Sequence, residues 1–334
     1  MSRATRDLLS LLAAAGEGWV SGAEISRRLG VSRTAIWKQV EALRALGYAV
    51  EAAPRKGYRL VARPDLLTPE EVLAGLTTRR LGRVVEYRAA VGSTNDLAKE
   101  MARQGAPEGL LVLAEQQTAG KGRLGRSWST PPGVAIAMSL VLRPDLPPYA
   151  APRITLAAAV AVAESVREVT GVAAGIKWPN DVQVAGRKLC GILTEMEAEL
   201  DRVAFVVLGI GLNVTLRREQ MDPSFRDTAT SLALEGAPPV RRAALVQAIL
   251  ARFEAAYDAL LGGRFDRVLD RWRALSVTLG QPVRVLGLDG QVTVEGVAEE
   301  VDADGALLVR DGAGRLHRVV SGEVSLRPAG APGR

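Results

Sequence analysis

The residues from Ala114 to Trp128, A-E-Q-Q-T-A-G-K-G-R-L-G-R-S-W, combine three glycines with three cations and close on a tryptophan. Glycine lets the backbone turn freely and approach a ligand closely. Lysine and arginine neutralise the charge of phosphate and carboxylate groups. A loop of this composition is therefore suited to holding a carboxylate next to a polyphosphate, two groups that otherwise repel each other.

Two other interpretations of this loop are open. Its glycines satisfy G-x-G-x-x-G, the fingerprint of dinucleotide-binding folds. In those folds the third glycine opens a helix that faces the pyrophosphate, whereas here the turn-forming residues 131–133, Pro-Pro-Gly, follow. The second alternative is a surface loop with solvated charges, and the loop alone does not decide between them.

The composition limits the domain number, the metal sites and the catalytic chemistry that the chain can have. A chain of 334 residues is long enough for two or three domains. Its one cysteine, Cys190, excludes an intrachain disulfide and favours a cytoplasmic location. With one histidine, His317, the chain has no Cys/His metal cluster and little scope for histidine acid–base catalysis. No apolar run reaches the ~18–20 residues that span a bilayer, so no membrane association is expected.

The first 65 residues carry eleven Lys or Arg and six Asp or Glu, which is nearly all of the net charge of +6. Apolar residues at helical spacing predict three helices, with Ser21 and Ser32 as N-caps and a turn at Gly30. This order is a helix-turn-helix, whose last helix reads DNA. A basic turn at 53–57 between two short strand-like runs adds a β-hairpin wing.

The buried face of the third helix is predicted to contain Ile36, Val40, Leu43 and Leu46. The opposite face and the wing then offer a set of side chains to operator DNA: Ser32, Arg33, Thr34, Lys38, Arg55 and Lys56. We therefore expect a winged helix-turn-helix domain over residues 1–63. A small helical module for protein contacts is the alternative.

The remainder of the chain has an α+β pattern, with runs of strands and segregated helices. Helices are predicted over 151–170, 240–261 and 264–276, and strands over 84–88, 110–114, 134–142, 173–177, 182–184, 188–198 and 202–210. From residue 277 the pattern changes to short strands separated by turns, as in a small SH3-like β-barrel. The predicted domains are therefore 68–275, carrying the chemistry, and 277–328.

Four further motifs accompany the glycine loop. They are Ser93-Thr94-Asn95 at a strand-to-helix junction, K-W-P-N-D at 177–181, G-R-K-L-C-G-I-L-T-E at 186–195 and G-I-G-L-N at 209–213. In this order, the five motifs resemble those of biotin protein ligases with a mixed α/β ligase domain of the biotin/lipoate type. The basic winged helix ahead of them resembles the bifunctional form, which also represses the biotin operon.

The resemblance implies a two-step reaction. Biotin and ATP, with Mg²⁺, give biotinyl-5′-AMP and pyrophosphate, and a lysine of a biotin carboxyl carrier protein then takes the biotin as an amide. Because the biotin carboxylate is already ionised at pH 7, its attack on the α-phosphorus needs charge neutralisation and alignment rather than a general base. Lys177 and Arg123 are the residues expected to supply this catalysis.

The resemblance also assigns the substrate-binding residues. Those expected to bind biotin are Ser93, Thr94, Asn95, Gln117, Lys121, Gly122, Arg123, Lys177, Gly191, Gly209 and Gly211. Those expected to bind the nucleotide are Arg126, Trp128, Lys177 and Asn213, with Trp128 covering the adenine. Hydroxyl and carboxamide groups suit the N–H and C=O groups of the biotin ureido ring, while Trp178 is interpreted as a core residue.

The implied partners are biotin, ATP, the biotin carboxyl carrier protein and operator DNA, which a homodimer with two winged helices would bind as a palindrome. Two alternatives stay open. A lipoate or related acyl-adenylate ligase shares the chemistry but explains neither K-W-P-N-D nor the winged helix. A ligand-sensing transcription factor without catalysis does not need the phosphate-binding cations.

Overall fold

The computed structural model describes residues 2–199, 202–287, 291–320 and 322–326. The chain divides into two compact units, Met1–Leu66 and Leu67–Arg334. The first unit corresponds to the predicted DNA-binding region. The boundaries predicted inside the second unit, at 275 and 277, remain a prediction, because the chain from Leu67 onward forms one unit in this division.

The first unit is a winged helix-turn-helix. It contains the helices α1 (Arg3–Ala14), α2 (Gly22–Leu29) and α3 (Arg33–Ala45), followed by the antiparallel strands β1 (Ala49–Ala53) and β2 (Gly57–Ala62). The Ser21 hydroxyl accepts a hydrogen bond from the Glu24 amide, and the Ser32 hydroxyl accepts one from the Ala35 amide. Gly30 ends α2 in the left-handed conformation, with φ of 66°. Both predicted caps and the turn between the helices are therefore confirmed.

Ile36, Val40 and Leu43 lie in the core of the first unit as predicted. The prediction for Leu46 is wrong, since 45% of its surface is exposed. Leu46 is the C-cap of α3, where the helical repeat stops, and Gly47 then turns the chain away with φ of 89°. A periodic pattern does not hold at a position where the helix has already ended.

The second unit is built on a seven-stranded sheet. Its strands are β3 (Val84–Val91), β4 (Leu110–Gln117), β7 (Ala135–Leu142), β8 (Gly175–Lys177), β9 (Asp181–Val184), β10 (Arg187–Glu199) and β11 (Arg202–Asn213). The strand order is β3-β4-β7-β11-β10-β9-β8, and only β3 and β4 pair in parallel. Two short strands, β5 (Gly120–Lys121) and β6 (Ser127–Trp128), pair with each other inside the glycine loop.

Helices cover the two faces of this sheet. On one face lie α6 (Pro152–Thr170), α7 (Arg242–Leu261) and α8 (Phe265–Leu275), and α4 (Pro69–Leu73) packs on α7. On the other lies α5 (Thr94–Arg103). Successive side chains of β4 alternate between the two faces of the sheet. Leu111 and Leu113 belong to the large core, whereas Leu110 and Val112 pack in the cluster under α5. The predicted α+β class is confirmed.

A second, five-stranded antiparallel sheet follows, in agreement with the predicted small barrel. It contains β12 (Pro282–Leu286), β13 (Val292–Val301), β14 (Leu307–Asp311), β15 (Leu316–Val319) and β16 (Glu323–Leu326), in the order β15-β14-β13-β12-β16. Its apolar residues, among them Val283 and Leu307, join the core of the large sheet. Within the described residues, no helix has the length and apolarity needed to cross a bilayer.

Trp178 lies between the two sheets. Its indole Nε1 donates a hydrogen bond to the Gly305 carbonyl at 3.0 Å, and its backbone N–H donates to the Thr278 hydroxyl at 2.9 Å. The side chain is buried, which confirms its interpretation as a core residue. The K-W-P-N-D segment is thereby fixed to the C-terminal sheet.

Candidate active site

One cavity of about 760 Å³ lies over the large sheet. It is lined by every residue of the second unit to which the sequence assigned a role: Ser93, Thr94, Asn95, Gln117, Lys121, Gly122, Arg123, Arg126, Trp128, Lys177, Gly191, Gly209, Gly211 and Asn213. These residues come from five segments separated by up to 120 positions, so the fold brings the predicted set together. The predicted DNA-binding residues lie on α3 and in the wing of the first unit.

One end of the cavity is a buried hydrogen-bond network between the start of α5 and the end of β4. Gln117 Oε1 accepts from both the backbone N–H of Thr94, at 2.7 Å, and its hydroxyl, at 2.9 Å. Ser139 Oγ lies 2.6 Å from Asn95 Oδ1 and 2.8 Å from Thr94 Oγ1. Ser93 caps α5 by accepting from the Asp96 amide. These contacts determine which polar atoms of Gln117 and Asn95 can still bind a ligand.

Glycines of β10 and β11 form the floor of the cavity. A Cβ atom at Gly209 would lie 2.9 Å from Asn95 Cγ, and one at Gly211 would lie 2.6 Å from the Trp128 indole. A Cβ atom at Gly191, which pairs with Gly211 across the strands, would lie 3.0 Å from the Lys188 side chain. The floor is therefore narrow because the side chains above it already occupy the space that a Cβ would need.

Arg123 connects the glycine loop to the two neighbouring segments. Its Nη1 donates to Asn180 Oδ1 at 3.0 Å, and its Nη2 donates to the Gly322 carbonyl at 2.9 Å. The Asn180 amide in turn donates to the Ile192 carbonyl at 2.7 Å. Asn180 thus does more than form a turn, because it orients the arginine beside the cavity.

Lys188 is a lining residue to which the sequence gave no role. Its Nζ lies 2.7 Å from the Asp181 carboxylate and 5.9 Å from the centroid of the Trp128 ring. Strict alternation along β10 would place Lys188 and Cys190 on the same face of the sheet. A register shift between these two residues places Lys188 and Gly191 at the cavity, while Cys190 is buried in the core.

Two lining residues, Asn213 and Asp181, differ in chemical character from the neighbouring Cys190, which lies in the core. Burial raises the pKa of the Cys190 thiol, so that it is an inert apolar group. The Asn213 amide donates to the Thr230 carbonyl at 2.9 Å and so holds the segment that follows β11. No cluster of three or more His, Cys, Asp or Glu side chains arranged as a metal site occurs in the part of the chain that the structure describes. Asp181 is the carboxylate among the lining residues of this cavity.

The chain is similar in sequence to known proteins over nearly its whole length. The bifunctional ligase/repressor BirA of Bacillus subtilis (strain 168) is 41% identical over 321 residues, which cover 96% of this chain and 98% of that protein. The chain belongs to the bifunctional biotin ligase/repressor family. The BirA protein of Escherichia coli (strain K12), another member of the family, is 30% identical over 322 residues, or 96% of this chain and 97% of that protein.

Models of three domain families match consecutive parts of this family member. A helix-turn-helix domain matches residues 5–59, the biotin/lipoate A/B protein ligase family matches 87–213, and the biotin protein ligase C-terminal domain matches 278–327. Among solved structures, the biotin protein ligase from Aquifex aeolicus in complex with biotin and ATP is similar, with a TM-score of 0.61 and 26% identity. That similarity covers 74% of this chain and all of the other chain.

Proposed function

We propose that the second unit couples biotin to ATP in its cavity and then to a carrier lysine. The biotin carboxylate oxygen attacks the α-phosphorus of ATP, the bond to the β-phosphate oxygen breaks, and pyrophosphate leaves. The amine of the carrier lysine then attacks the carboxyl carbon, AMP leaves, and the amine releases a proton as the amide forms. The observation that carries this proposal is that one cavity joins a buried polar end, a glycine floor and a set of cations.

The buried polar end suits the ureido ring of biotin. Both hydrogen bonds to Gln117 Oε1 come from Thr94, so the Gln117 amide Nε2 is the group left to donate to a ligand carbonyl. Asn95 Nδ2 donates to Glu195 and Leu193, while Asn95 Oδ1 accepts from the Ser139 hydroxyl and has a second lone pair to accept from a ligand N–H. One donor and one acceptor side by side complement a cyclic urea.

We assign the cations to the charges of the carboxylate and the phosphates, which come together in the reaction. Lys188 Nζ lies near Gly191 of the floor and 5.9 Å from the centroid of the Trp128 ring, and we assign it to the carboxylate and the α-phosphate. Arg123, held by Asn180 and Gly322, and Lys177, at the end of β8, act beside it. Fixed cations in a confined site stabilise the charge that develops in the transition state.

The nucleotide occupies the other end of the cavity. The Trp128 ring, packed over Gly211, offers a face for the adenine to stack on, and Asn213 and Arg126 are the other lining residues that we assign to the nucleotide. Mg²⁺ bound to ATP needs one or two protein carboxylates and keeps several of its waters, so the Asp181 carboxylate fits such an ion. The metal would shield the charge of the phosphates, while Lys188 holds Asp181 in place.

The first unit is assigned to operator DNA, through α3 and the wing, and the whole protein to the cytoplasm. A homodimer would bring two reading helices to a palindromic site. The residues Ser32, Arg33, Thr34, Lys38, Arg55 and Lys56 are kept as the proposed contacts. Ser32 also caps α3, so its hydroxyl has a structural role that Arg33 and Lys38 do not share.

The test is biotin-dependent release of pyrophosphate with ATP and Mg²⁺, with lipoate in place of biotin as the control. We expect turnover with biotin but not with lipoate. The turnover rate should fall about 10²-fold or more in Lys188→Ala, as for removal of one group that stabilises transition-state charge. The Lys177→Ala variant, measured in the same assay, distinguishes the contribution of Lys177 from that of Lys188. Turnover with lipoate but not biotin, or with neither acid, would contradict the proposed function.

A further inference from the structure

A chain of five polar side chains runs from the buried end of the cavity to the glycine loop. It contains Asn95, Glu195, Lys99, Asp96 and Lys121, and consecutive members are within 3.0 Å of each other. Three of these residues belong to α5, Glu195 belongs to β10, and Lys121 to β5 at the start of the loop. No role follows for Glu195, Lys99 or Asp96 from the reaction as derived above.

Glu195 determines which way the Asn95 carboxamide points. Glu195 Oε2 accepts from Asn95 Nδ2 at 2.8 Å, and the Leu193 carbonyl lies 3.4 Å from the same nitrogen. A carboxylate accepts hydrogen bonds but donates none, so an Asn95 amide turned by 180° would place oxygen against oxygen. The oxygen of Asn95 is thereby kept toward Ser139 and the cavity, as binding of a ligand N–H requires.

The second oxygen of Glu195 continues the chain. Glu195 Oε1 accepts from Lys99 Nζ at 2.8 Å, and the Lys99 ammonium also pairs with Asp96 at 3.0 Å. Although partial burial favours its neutral form, hydrogen bonds to Glu195 and Asp96 raise the pKa of Lys99. Burial likewise opposes the charge of Asp96, but hydrogen bonds from Lys121 and Lys99 lower its pKa. Lys99 and Asp96 are therefore both charged at neutral pH.

The last link reaches the loop. Lys121 Nζ lies 2.7 Å from the Asp96 carboxylate, and Lys121 pairs with Ser127 in the short β5–β6 ladder. The Lys121 ammonium therefore points away from the phosphate end and toward α5. Its contact holds the glycine loop to the same helix whose first turn binds the ureido ring.

We propose that Glu195 is a positioning residue for biotin, and that Asp96 and Lys99 extend its effect to the glycine loop through Lys121. The inference rests on the proposed function, because it names residues that act through Asn95 and through the loop. Its two parts have different consequences. Loss of the Glu195–Asn95 contact weakens biotin binding, whereas loss of the Asp96–Lys121 contact lets the loop open more often over the bound adenylate.

Three variants separate these parts. Glu195→Leu removes the acceptor, and we expect the KM for biotin to rise about tenfold or more, as for a lost hydrogen bond to a charged group, with kcat at saturating biotin nearly unchanged. Glu195→Gln keeps an acceptor for Asn95, so its KM should stay within about threefold of the wild type. Asp96→Asn should leave the KM unchanged and speed adenylate release about two- to fivefold, as for one partly exposed ion pair.

Glu197→Leu is the matched control for the first variant. Glu197 lies two residues further along β10 and pairs with Arg103 of α5 at 2.8 Å, and none of its hydrogen bonds or ion pairs in the described part of the chain involves Asn95. The KM for biotin should therefore not change in this variant. For the loop, a double-mutant cycle with Lys121→Met tests the link, since the second substitution should add nothing to Asp96→Asn.

The assays are biotin-dependent pyrophosphate release for KM and kcat, and a chase of preformed labelled biotinyl-5′-AMP for its release rate. Equal KM values in Glu195→Leu and Glu197→Leu, or additive effects of Asp96→Asn and Lys121→Met, would overturn the proposal. An inactive wild type would instead refute the proposed function.

Discussion

Gly209 and Gly211 are two residues apart on β11, yet alanine at each position should damage the binding of a different substrate. Both lie on the cavity floor, but Asn95 lies above Gly209 and the Trp128 indole lies above Gly211. Gly209→Ala should therefore impair the use of biotin, and Gly211→Ala should impair the use of ATP. The prediction tests the assignment of the two ends of the cavity directly.

The expected magnitudes follow from the distances. A Cβ atom at Gly209 would lie 2.9 Å from Asn95 Cγ and closer still to Oδ1, so the carboxamide must move by about 1 Å. A displacement of that size costs on the order of 10²-fold, and we expect it in the KM for biotin. At Gly211 the indole must tilt away from a Cβ at 2.6 Å. Loss of a base–aromatic contact should raise the KM for ATP about tenfold.

The assay is steady-state pyrophosphate release in which each substrate is varied while the other is saturating. Gly312→Ala is the control, because a Cβ atom there meets no other atom within 4 Å. Thermal unfolding of each variant establishes that it is folded. Equal effects of both alanines on both substrates, or the opposite pairing of variant and substrate, would refute the geometry assigned to the cavity.

Three further predictions concern stability and DNA binding. Arg242→Met leaves the Glu115 carboxylate, 2.8 Å away, without its fully buried partner, and should lower the free energy of unfolding in urea by about 3–5 kcal/mol. Arg310→Met, at an exposed pair, should lower it far less, and equal losses would contradict this prediction. Burial disfavours the charged form of Glu164, but hydrogen bonds from Arg271 and Arg252 keep its pKa below the usual range. Its contribution is therefore complete above the unfolded pKa and lost as pH falls through the folded one, so Glu164→Gln should destabilise the protein at neutral pH and converge with the wild type once the pH has fallen through the lowered pKa. Lys56→Ala should reduce the slope of log K against log salt for operator binding by about one, and an unchanged slope would remove Lys56 from the phosphate contacts.

Local chemistry accounts for the part of the fold that could be predicted. Ser21, Ser32 and Gly30 specify helix ends through backbone geometry alone, so their roles could be inferred from neighbours in the sequence. Helix α6 begins at Pro152 and ends before Gly171, within a residue of the prediction. Leu46 was misplaced because the end of α3 depends on how Gly47 turns the chain.

The site was predicted as a set of residues rather than as an arrangement. Five motifs identified the lining residues, because each lies at the end of a strand or in a loop between strands. The role of Lys188 could not be predicted, since a bulge in β10 reverses the face on which it lies. The contact from Arg123 to Gly322 spans 199 positions and depends on how the two sheets pack. The motifs contain no information about that packing, so the contact could not be predicted from them.

The C-terminal sheet has a consequence for synthesis of the protein. The first unit has its own core, and the helices and wing that it needs are complete by residue 66. The catalytic cavity is closed only by groups that are made much later, since Thr278 and Gly305 hold Trp178, and Gly322 holds Arg123. A chain still on the ribosome can thus fold its DNA-binding unit long before the ligase site exists. We therefore expect adenylate synthesis only after translation has passed residue 322, whereas the winged helix can fold before that point.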